Sequence, residues 1–156
     1  MRPQKIDDSD LIMSVMSVLR DKGYSGTSLA DLAEASGLKK ASLYHRFPNG
    51  KEEMANAVLL YIEKWVEQHI FKSLLDESKA PIERLINGLE QIRNSYDKGK
   101  ESCIFRALSI GQGLELFDLQ IKNGMNKWLK TFKELGISFG LSIEEANKES
   151  LNTLIK

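Results

Sequence analysis

Apolar residues recur at intervals of three and four along most of the chain, which is the spacing that places them on one face of a helix. Near the N-terminus this stripe consists of Leu11, Ile12, Val15, Met16 and Leu19. It predicts a first helix from about Ser9, which can cap it, to Lys22, with Gly23 as its end. Only three of the 156 residues are Pro, and helical spacing returns throughout. The sequence therefore predicts an all-α protein.

The segment from Thr27 to Met54 predicts two short helices joined by a tight turn. Ser28 is a natural N-cap for the first helix, and Asp31 three residues later completes a near capping box. Gly37 suits the left-handed residue that ends this helix. The second helix is predicted from roughly Lys39 to Arg46.

That second helix turns Leu43 and Phe47 inward. Its outer face carries small, polar and basic side chains, namely Ala41, Ser42 and His45, flanked by Lys40 and Tyr44. A short helix with such an outer face meets the needs of a recognition helix in a DNA major groove. The pattern therefore predicts a helix-turn-helix head.

Helical spacing continues beyond the head. A fourth helix starts near Lys51 and is predicted to reach about Leu75, which is long enough to enter a second domain. Further helices are predicted over about 81–97, 103–110 and 115–135, bounded by glycines at 111, 113, 136 and 140. Ser142 and Glu145 form a capping box for a last helix that is still running at Lys156. We expect residues 1–50 to be the helix-turn-helix DNA-binding domain and 51–156 a helical effector-binding and dimerisation domain.

Charge is distributed unevenly along the chain. Residues 1–51 hold eight Lys/Arg and six Asp/Glu, and the remainder holds fourteen and sixteen, so a net charge of zero conceals +2 on the head and −2 on the rest. From Leu38 to Lys51 there are four basic residues and no acidic one. A locally basic face on a neutral protein suits phosphate contact at one end of the molecule.

Composition excludes several other classes of protein. One Cys rules out an intrachain disulfide framework and fits a reducing compartment. No apolar run approaches the roughly 20 residues of a membrane span, and the first ten residues, MRPQKIDDSD, lack the apolar core of a signal peptide. We therefore expect a cytoplasmic protein without a membrane partner.

The motifs GYSGTSLADLAEASGL, KKASLYHRF and PNGKEEM, in this order, resemble the DNA-binding domain of the TetR/AcrR family of bacterial transcriptional regulators. The resemblance extends over about Ser9 to Leu60. The extra Gly in FPNGK resembles the same loop in the LmrA/YxaF-like branch of the family. The segment SCIFRALSIGQG resembles the second domain of that branch. The resemblance implies a homodimeric regulator, a repressor that binds a near-palindromic operator in double-stranded DNA and is released by an effector.

The resemblance also implies which residues touch DNA. Base or sugar-phosphate contact is expected of Lys40, Ser42 and Tyr44, either base or phosphate contact of His45, and phosphate contact of Thr27, Lys39, Arg46 and Lys51. Ala41 is small enough for close approach to the groove. Packing of the Tyr44 ring beneath the recognition helix is an alternative role for Tyr44, and both roles can hold together.

A small hydrophobic effector is expected among the helices of the second domain. By resemblance, its contacts are Trp65, Cys103, Phe105, Met125 and Trp128. For each of these side chains packing in the core is the alternative, and Cys103 can equally be an inert buried thiol. Family members pair long C-terminal helices across the dimer, and this chain is a helix short of that set, so we expect either a truncated chain or a reduced dimer surface.

Catalytic and metal-binding patterns are missing from the sequence. It contains no GxSxG, HExxH or CxxC motif, and Gly50-Lys51 lacks the rest of a phosphate-binding loop. Two His, at 45 and 69, are too few for a His metal site. We expect no enzyme activity, cofactor or metal. Two alternatives to the switchable repressor remain: a DNA-binding protein without an effector pocket, and a helical enzyme.

Overall fold

The computed structural model describes residues 6–155, and within this range it contains helices and no strand. The predicted all-α fold is confirmed. The α-helices are α1 (Asp8–Gly26), α2 (Leu29–Ser36), α3 (Lys40–Arg46), α4 (Lys51–Val66), α5 (Lys72–Leu74), α6 (Pro81–Ser95), α7 (Ile104–Leu108), α8 (Gln112–Ser138) and α9 (Ile143–Ile155). A π-helical turn, Glu67–Phe71, joins α4 to α5, and a 3₁₀ turn, Asp97–Gly99, follows α6. The predicted continuation of the last helix to Lys156 lies outside the described residues.

The chain forms two compact units. The first contains Met1–Ile62 and Glu101–Asp118, and the second contains Glu63–Lys100 and Leu119–Lys156. Helices α4 and α8 therefore contribute residues to both units, and α7 belongs with the three helices of the head. The functional division into 1–50 and 51–156 stays a prediction.

Helix α1 begins earlier than the apolar stripe indicates. The Asp7 carboxylate accepts a hydrogen bond from the Asp10 N–H at 2.8 Å and caps the helix. The expectation that Ser9 is the cap is wrong, because its hydroxyl instead donates to the Asp7 carboxylate at 2.9 Å. Helical geometry is interrupted at Gly23 (φ 71°, ψ 175°), as the sequence predicts, before one further turn ends the element.

The core of the first unit is built from one face of each helix. Helix α1 packs against both α2 and α7, and α2 packs against α3. The largest fully buried side chains of this unit are Leu11, Val15, Leu19, Leu32, Leu43, Met54, Val58, Leu108 and Phe117. Because apolar burial is the main favourable term in folding, these residues fix the orientation of the head helices.

The second unit has an aromatic core of its own. Ile70, Phe71, Leu74 and Leu135 are buried at its centre, with Trp65, Val66, Leu85, Ile92, Trp128 and Phe132 packed around them. The predicted helix from Lys51 to about Leu75 is confirmed as a continuous run of α4, the π turn and α5. Among residues 6–155, no helix combines the length and apolarity that crossing a membrane requires.

Two of the four glycines that the sequence predicts as breaks do not break a helix. Gly113 and Gly136 both lie inside α8. A Cβ at Gly113 would lie 2.5 Å from the Leu108 carbonyl oxygen, so this glycine serves close packing rather than a turn. Gly111 (φ 61°) and Gly140 (φ 90°) have the left-handed backbone of true breaks.

Candidate nucleic-acid interface

The turn that sets α3 against α2 is held by the predicted caps. The Ser28 hydroxyl accepts from the Asp31 N–H at 3.1 Å, while the Asp31 carboxylate accepts from the Ser28 N–H at 2.8 Å. Lys22 Nζ lies 2.6 Å from the same carboxylate. The hydrogen bond from Lys22, followed by those from Ser28, holds the pKa of Asp31 well below its usual range. Gly37 (φ 66°) then ends α2, so the predicted capping box and turn are confirmed.

Helix α3 presents its outer face to solvent. Leu43 is completely buried and Phe47 is half-buried, as predicted. The exposed residues are Lys39, Lys40, Ala41, Ser42, Tyr44 and His45. Lys39 is the N-cap residue, one position before the helix proper. Six of the nine predicted DNA-contact residues are therefore exposed on α3 or at its N-cap, and a seventh, Arg46, is the half-buried last residue of the same helix.

The Tyr44 side chain is partly packed against the protein and partly exposed to solvent. Its Cε1 atom lies 3.5 Å from the position that a Cβ would take on Gly50, so one edge of the ring packs beside the loop that follows α3. The side chain is nevertheless 46% exposed. Both roles named for Tyr44 are compatible with this placement.

Three residues that are predicted to contact phosphate make hydrogen bonds within the chain. The Arg46 guanidinium donates to the Asp8 carboxylate at 3.2 Å and to the Ile6 carbonyl at 2.7 Å. Thr27 is 3% exposed, and its hydroxyl donates to the Gly23 carbonyl at 2.6 Å. For Thr27 this geometry argues against direct contact through the side chain. The phosphate roles of Thr27 and Arg46 stay predictions.

Lys51 is the third predicted phosphate contact that makes hydrogen bonds within the chain. Its ammonium donates to the carbonyl oxygens of Tyr24 at 2.8 Å and Thr27 at 3.0 Å, and it lies 4.2 Å from the centroid of the Tyr24 ring. Burial, aided by the nearby Glu52 carboxylate, raises the pKa of the Tyr24 phenol, so the ring is neutral near pH 7. The sequence does not predict this pairing of Tyr24 with Lys51.

The predicted effector contacts are divided between the two units. Cys103 and Phe105 belong to the first unit, whereas Trp65, Met125 and Trp128 belong to the second. All five side chains are half-buried. A single site made of all five stays a prediction.

Within the second unit, aromatic contacts surround two of these residues. Trp128 packs edge-on against Phe71 with ring centroids 4.9 Å apart and stacks on Phe132 at 5.7 Å. Trp65, near the end of α4, stacks on His69 of the π turn, with ring centroids 4.8 Å apart. These residues combine an apolar surface with polar edges, which is the composition of many small-molecule sites.

An open cleft of about 360 Å³ lies in the first unit, between the end of α1 and α7. Tyr24, Arg106 and Ile110 are among its lining residues, and none of the five predicted effector contacts lines it. The part of the chain that the structure describes contains no group of three His, Cys, Asp or Glu side chains able to hold a metal ion.

Comparison with known protein families and sequences agrees with this geometry. The family model for bacterial regulatory proteins of the tetR family matches residues 15–58. YxaF, an uncharacterized HTH-type transcriptional regulator of Bacillus subtilis, is 31% identical over 138 residues, which cover 86% of this chain and 71% of YxaF. LmrA, a regulator of the same organism, is 35% identical over 65 residues, or 41% of this chain and 35% of LmrA.

Solved structures share the fold at low sequence identity. A TetR transcriptional regulator from Legionella pneumophila superposes with a TM-score of 0.80 at 16% identity, over 97% of this chain and 83% of that one. The regulator CifR, as a cysteine mutant complexed with 26-bp operator DNA, gives 0.75 at 20% identity, over 97% and 84%. The chain thus belongs to the TetR family of bacterial transcriptional regulators, in the branch of YxaF and LmrA, and it is a DNA-binding regulator of transcription.

Proposed function

We propose that the protein is a repressor that binds a near-palindromic operator as a homodimer and leaves it when a small hydrophobic effector binds. The observation that carries the proposal is the exposed, basic outer face of α3, held in place by the buried Leu43. Two such heads would reach half-sites in successive major grooves, about 34–36 Å apart.

Within this proposal the exposed residues of α3 divide into two groups. Lys40, Ser42 and Tyr44 would contact base edges, since Lys donates to guanine O6 and N7 and a Tyr ring can contact a thymine methyl. Lys39 at the N-cap would contact a phosphate and add affinity without sequence preference. His45 would take part in either group, and Ala41 would allow close approach.

Exposed apolar residues on the last two helices support a homodimer. In the second unit, Leu119 and Ile137 on α8 and Ile143 and Leu151 on α9 are between 43% and 72% exposed. Large exposed apolar patches usually mark contact with another protein, and homodimers pair one patch with its own copy. We place the dimer contact on α8 and α9.

The second unit would hold the effector among Trp65, Met125 and Trp128. The contacts of Cys103 and Phe105, which belong to the first unit, stay predictions. The π turn Glu67–Phe71 lies in the same helical run that starts with Lys51. π turns inside α-helices often occur at functional sites. A ligand that shifts this turn would act on the helix that begins at the DNA-binding head. The function needs no enzyme activity, cofactor or metal, and we place it in the cytoplasm, where bacterial DNA lies.

A second candidate is a constitutive DNA-binding protein without an effector. One observation favours it: Trp128 packs between Phe71 and Phe132 as a core residue would. A collapsed aromatic core binds no ligand, so effector binding separates the two candidates.

Loss of the Lys40 or Tyr44 side chain tests DNA recognition. A duplex is first selected by the wild-type protein from a random pool, and affinities are measured by fluorescence anisotropy at several salt concentrations. Lys40→Ala and Tyr44→Ala should each weaken binding to the selected duplex by about 1–3 kcal/mol, as expected for a lost base contact, and relax selectivity. Titration should saturate at an even number of chains per duplex.

The matched control is Lys64→Ala, because Lys64 is also an exposed lysine and belongs to the second unit. It should bind like the wild type. Wild-type affinity and selectivity in both α3 variants would remove α3 as the recognition helix.

Effector binding should be visible through the two tryptophans of the chain, Trp65 and Trp128, which both lie beside the aromatic core of the second unit. A panel of neutral aromatic compounds is screened for three effects together: a change in tryptophan fluorescence, a rise in Tm and a loss of operator affinity. Trp128→Leu should abolish all three, because a compound that no longer binds cannot raise Tm either. Compounds that raise Tm without changing DNA affinity would favour the constitutive binder.

A further inference from the structure

Lys51 is held by one residue in two ways. Its ammonium donates to the Tyr24 carbonyl oxygen at 2.8 Å and lies over the Tyr24 ring, 4.2 Å from the centroid. The Thr27 carbonyl accepts a further hydrogen bond at 3.0 Å. An ammonium has three donors, so one of them is left for a phosphate oxygen. The position of that remaining donor depends on where Tyr24 lies.

Tyr24 itself is held by α8. The Phe117 ring packs edge-to-face against the Tyr24 ring, with centroids 5.2 Å apart and planes at 76°. Both side chains are buried, at 5% exposure for Tyr24 and 1% for Phe117. Aromatic pairs of this geometry are more favourable than their buried area alone accounts for. A movement of the start of α8 would therefore disturb the contact that holds the Tyr24 ring.

Gly113 makes this approach of α8 possible. A Cβ on Gly113 would lie 3.2 Å from the Tyr24 Cβ and 2.5 Å from the Leu108 carbonyl oxygen. The contact with Tyr24 would be tight, and the contact with the Leu108 carbonyl oxygen leaves no room for a side chain at position 113. All of these residues belong to the first unit, while α8 continues into the second.

We propose that Tyr24 is a positioning residue for DNA binding. Its carbonyl and ring place the Lys51 ammonium at the start of α4, and its contact with Phe117 makes that placement depend on the first turns of α8. A change in α8 would then alter a phosphate contact without moving α3 itself. The inference rests on the proposed function and on the predicted contact between Lys51 and a DNA phosphate.

Two substitutions of Tyr24 distinguish positioning of Lys51 by the aromatic ring from simple burial of an apolar side chain. Tyr24→Phe keeps the ring and should bind DNA like the wild type. Tyr24→Leu keeps an apolar side chain but removes the π face that attracts the ammonium. It should reduce the slope of log K against log[salt] by about one unit, as should Lys51→Ala. The loss should be equal on the selected duplex and on a random-sequence duplex.

The double variant provides the readout that a purely structural role would not give. If Tyr24 acts through Lys51, Tyr24→Leu combined with Lys51→Ala should bind no more weakly than Lys51→Ala alone, because coupled sites are not additive. Fully additive losses, or a wild-type salt slope in Tyr24→Leu, would overturn the proposal. So would a wild-type slope in Lys51→Ala, since no contact would be left to position.

A second pair keeps the test decisive if Tyr24→Leu lacks a cooperative thermal transition. Phe117→Leu and Phe132→Leu make the same change at two places on α8, and of the two rings only Phe117 packs against Tyr24. Phe117→Leu alone should lower the salt slope, and equal slopes in the two variants would refute the role of Tyr24. A wild-type protein that binds selected and random duplexes equally would refute the proposed function instead.

Discussion

Leu43→Ala is expected to lower the free energy of unfolding by about 2–5 kcal/mol, the range for a buried leucine replaced by alanine. Leu43 is completely buried and is the buried side chain of the seven-residue helix α3. So short a helix cannot hold itself together in water, and it depends on packing against the rest of the head. The measurement is chemical denaturation followed by circular dichroism.

The same variant should lose DNA binding by more than its stability alone predicts, because the exposed residues of α3 would no longer share one fixed face. Leu60→Ala is the matched control: Leu60 also belongs to the first unit but is 62% exposed. The free energy of unfolding of this variant should lie within about 0.5 kcal/mol of the wild-type value, as is usual for surface substitutions. A loss for Leu43→Ala no larger than for Leu60→Ala would mean that α3 is not anchored by this side chain.

Features that depend on a few neighbouring residues could be predicted from the sequence. The capping box of Ser28 and Asp31, the left-handed Gly37, and the box of Ser142 and Glu145 all occur as expected. In each case the donor and acceptor lie within three residues of each other, or the backbone at one residue decides the turn. The identity of the residues is then enough to determine the local geometry.

Contacts between distant residues could not be predicted in this way. Arg46 reaches Ile6 and Asp8, about forty positions away in the chain. Similarly, the Lys51 ammonium reaches the carbonyls at the end of α1. A lysine or arginine in a basic segment has the same sequence pattern whether it faces phosphate or a backbone carbonyl. Only the packing of the helices decides which partner is within reach.

The roles of individual glycines could not be predicted from the sequence either. A glycine that ends a helix and a glycine that lets two elements approach closely cannot be told apart by neighbouring residues alone. Gly140 has the left-handed backbone of a helix end, whereas Gly113 lies within α8 against the Leu108 carbonyl. The second role exists only because α7 and α8 meet there, which is a property of the folded chain.

Phe117→Ala should be the most destabilising single change in the first unit, by about 3–5 kcal/mol. The side chain is 1% exposed, and its ring packs edge-to-face against Tyr24. Its loss would remove the transfer free energy of the ring, leave a cavity and break the aromatic pair. Denaturation followed by circular dichroism should show the full shift.

Tryptophan fluorescence adds a second observation to the same experiment, because Trp65 and Trp128 both lie in the second unit. If the two units unfold as one, the fluorescence and circular dichroism transitions of Phe117→Ala should both move to a lower denaturant concentration. If the units unfold separately, the fluorescence transition should stay at the wild-type concentration. The matched control is Phe139→Ala, whose side chain is 45% exposed. A stability loss for Phe117→Ala no greater than for Phe139→Ala would contradict the buried aromatic pair as the link between α8 and the DNA-binding head.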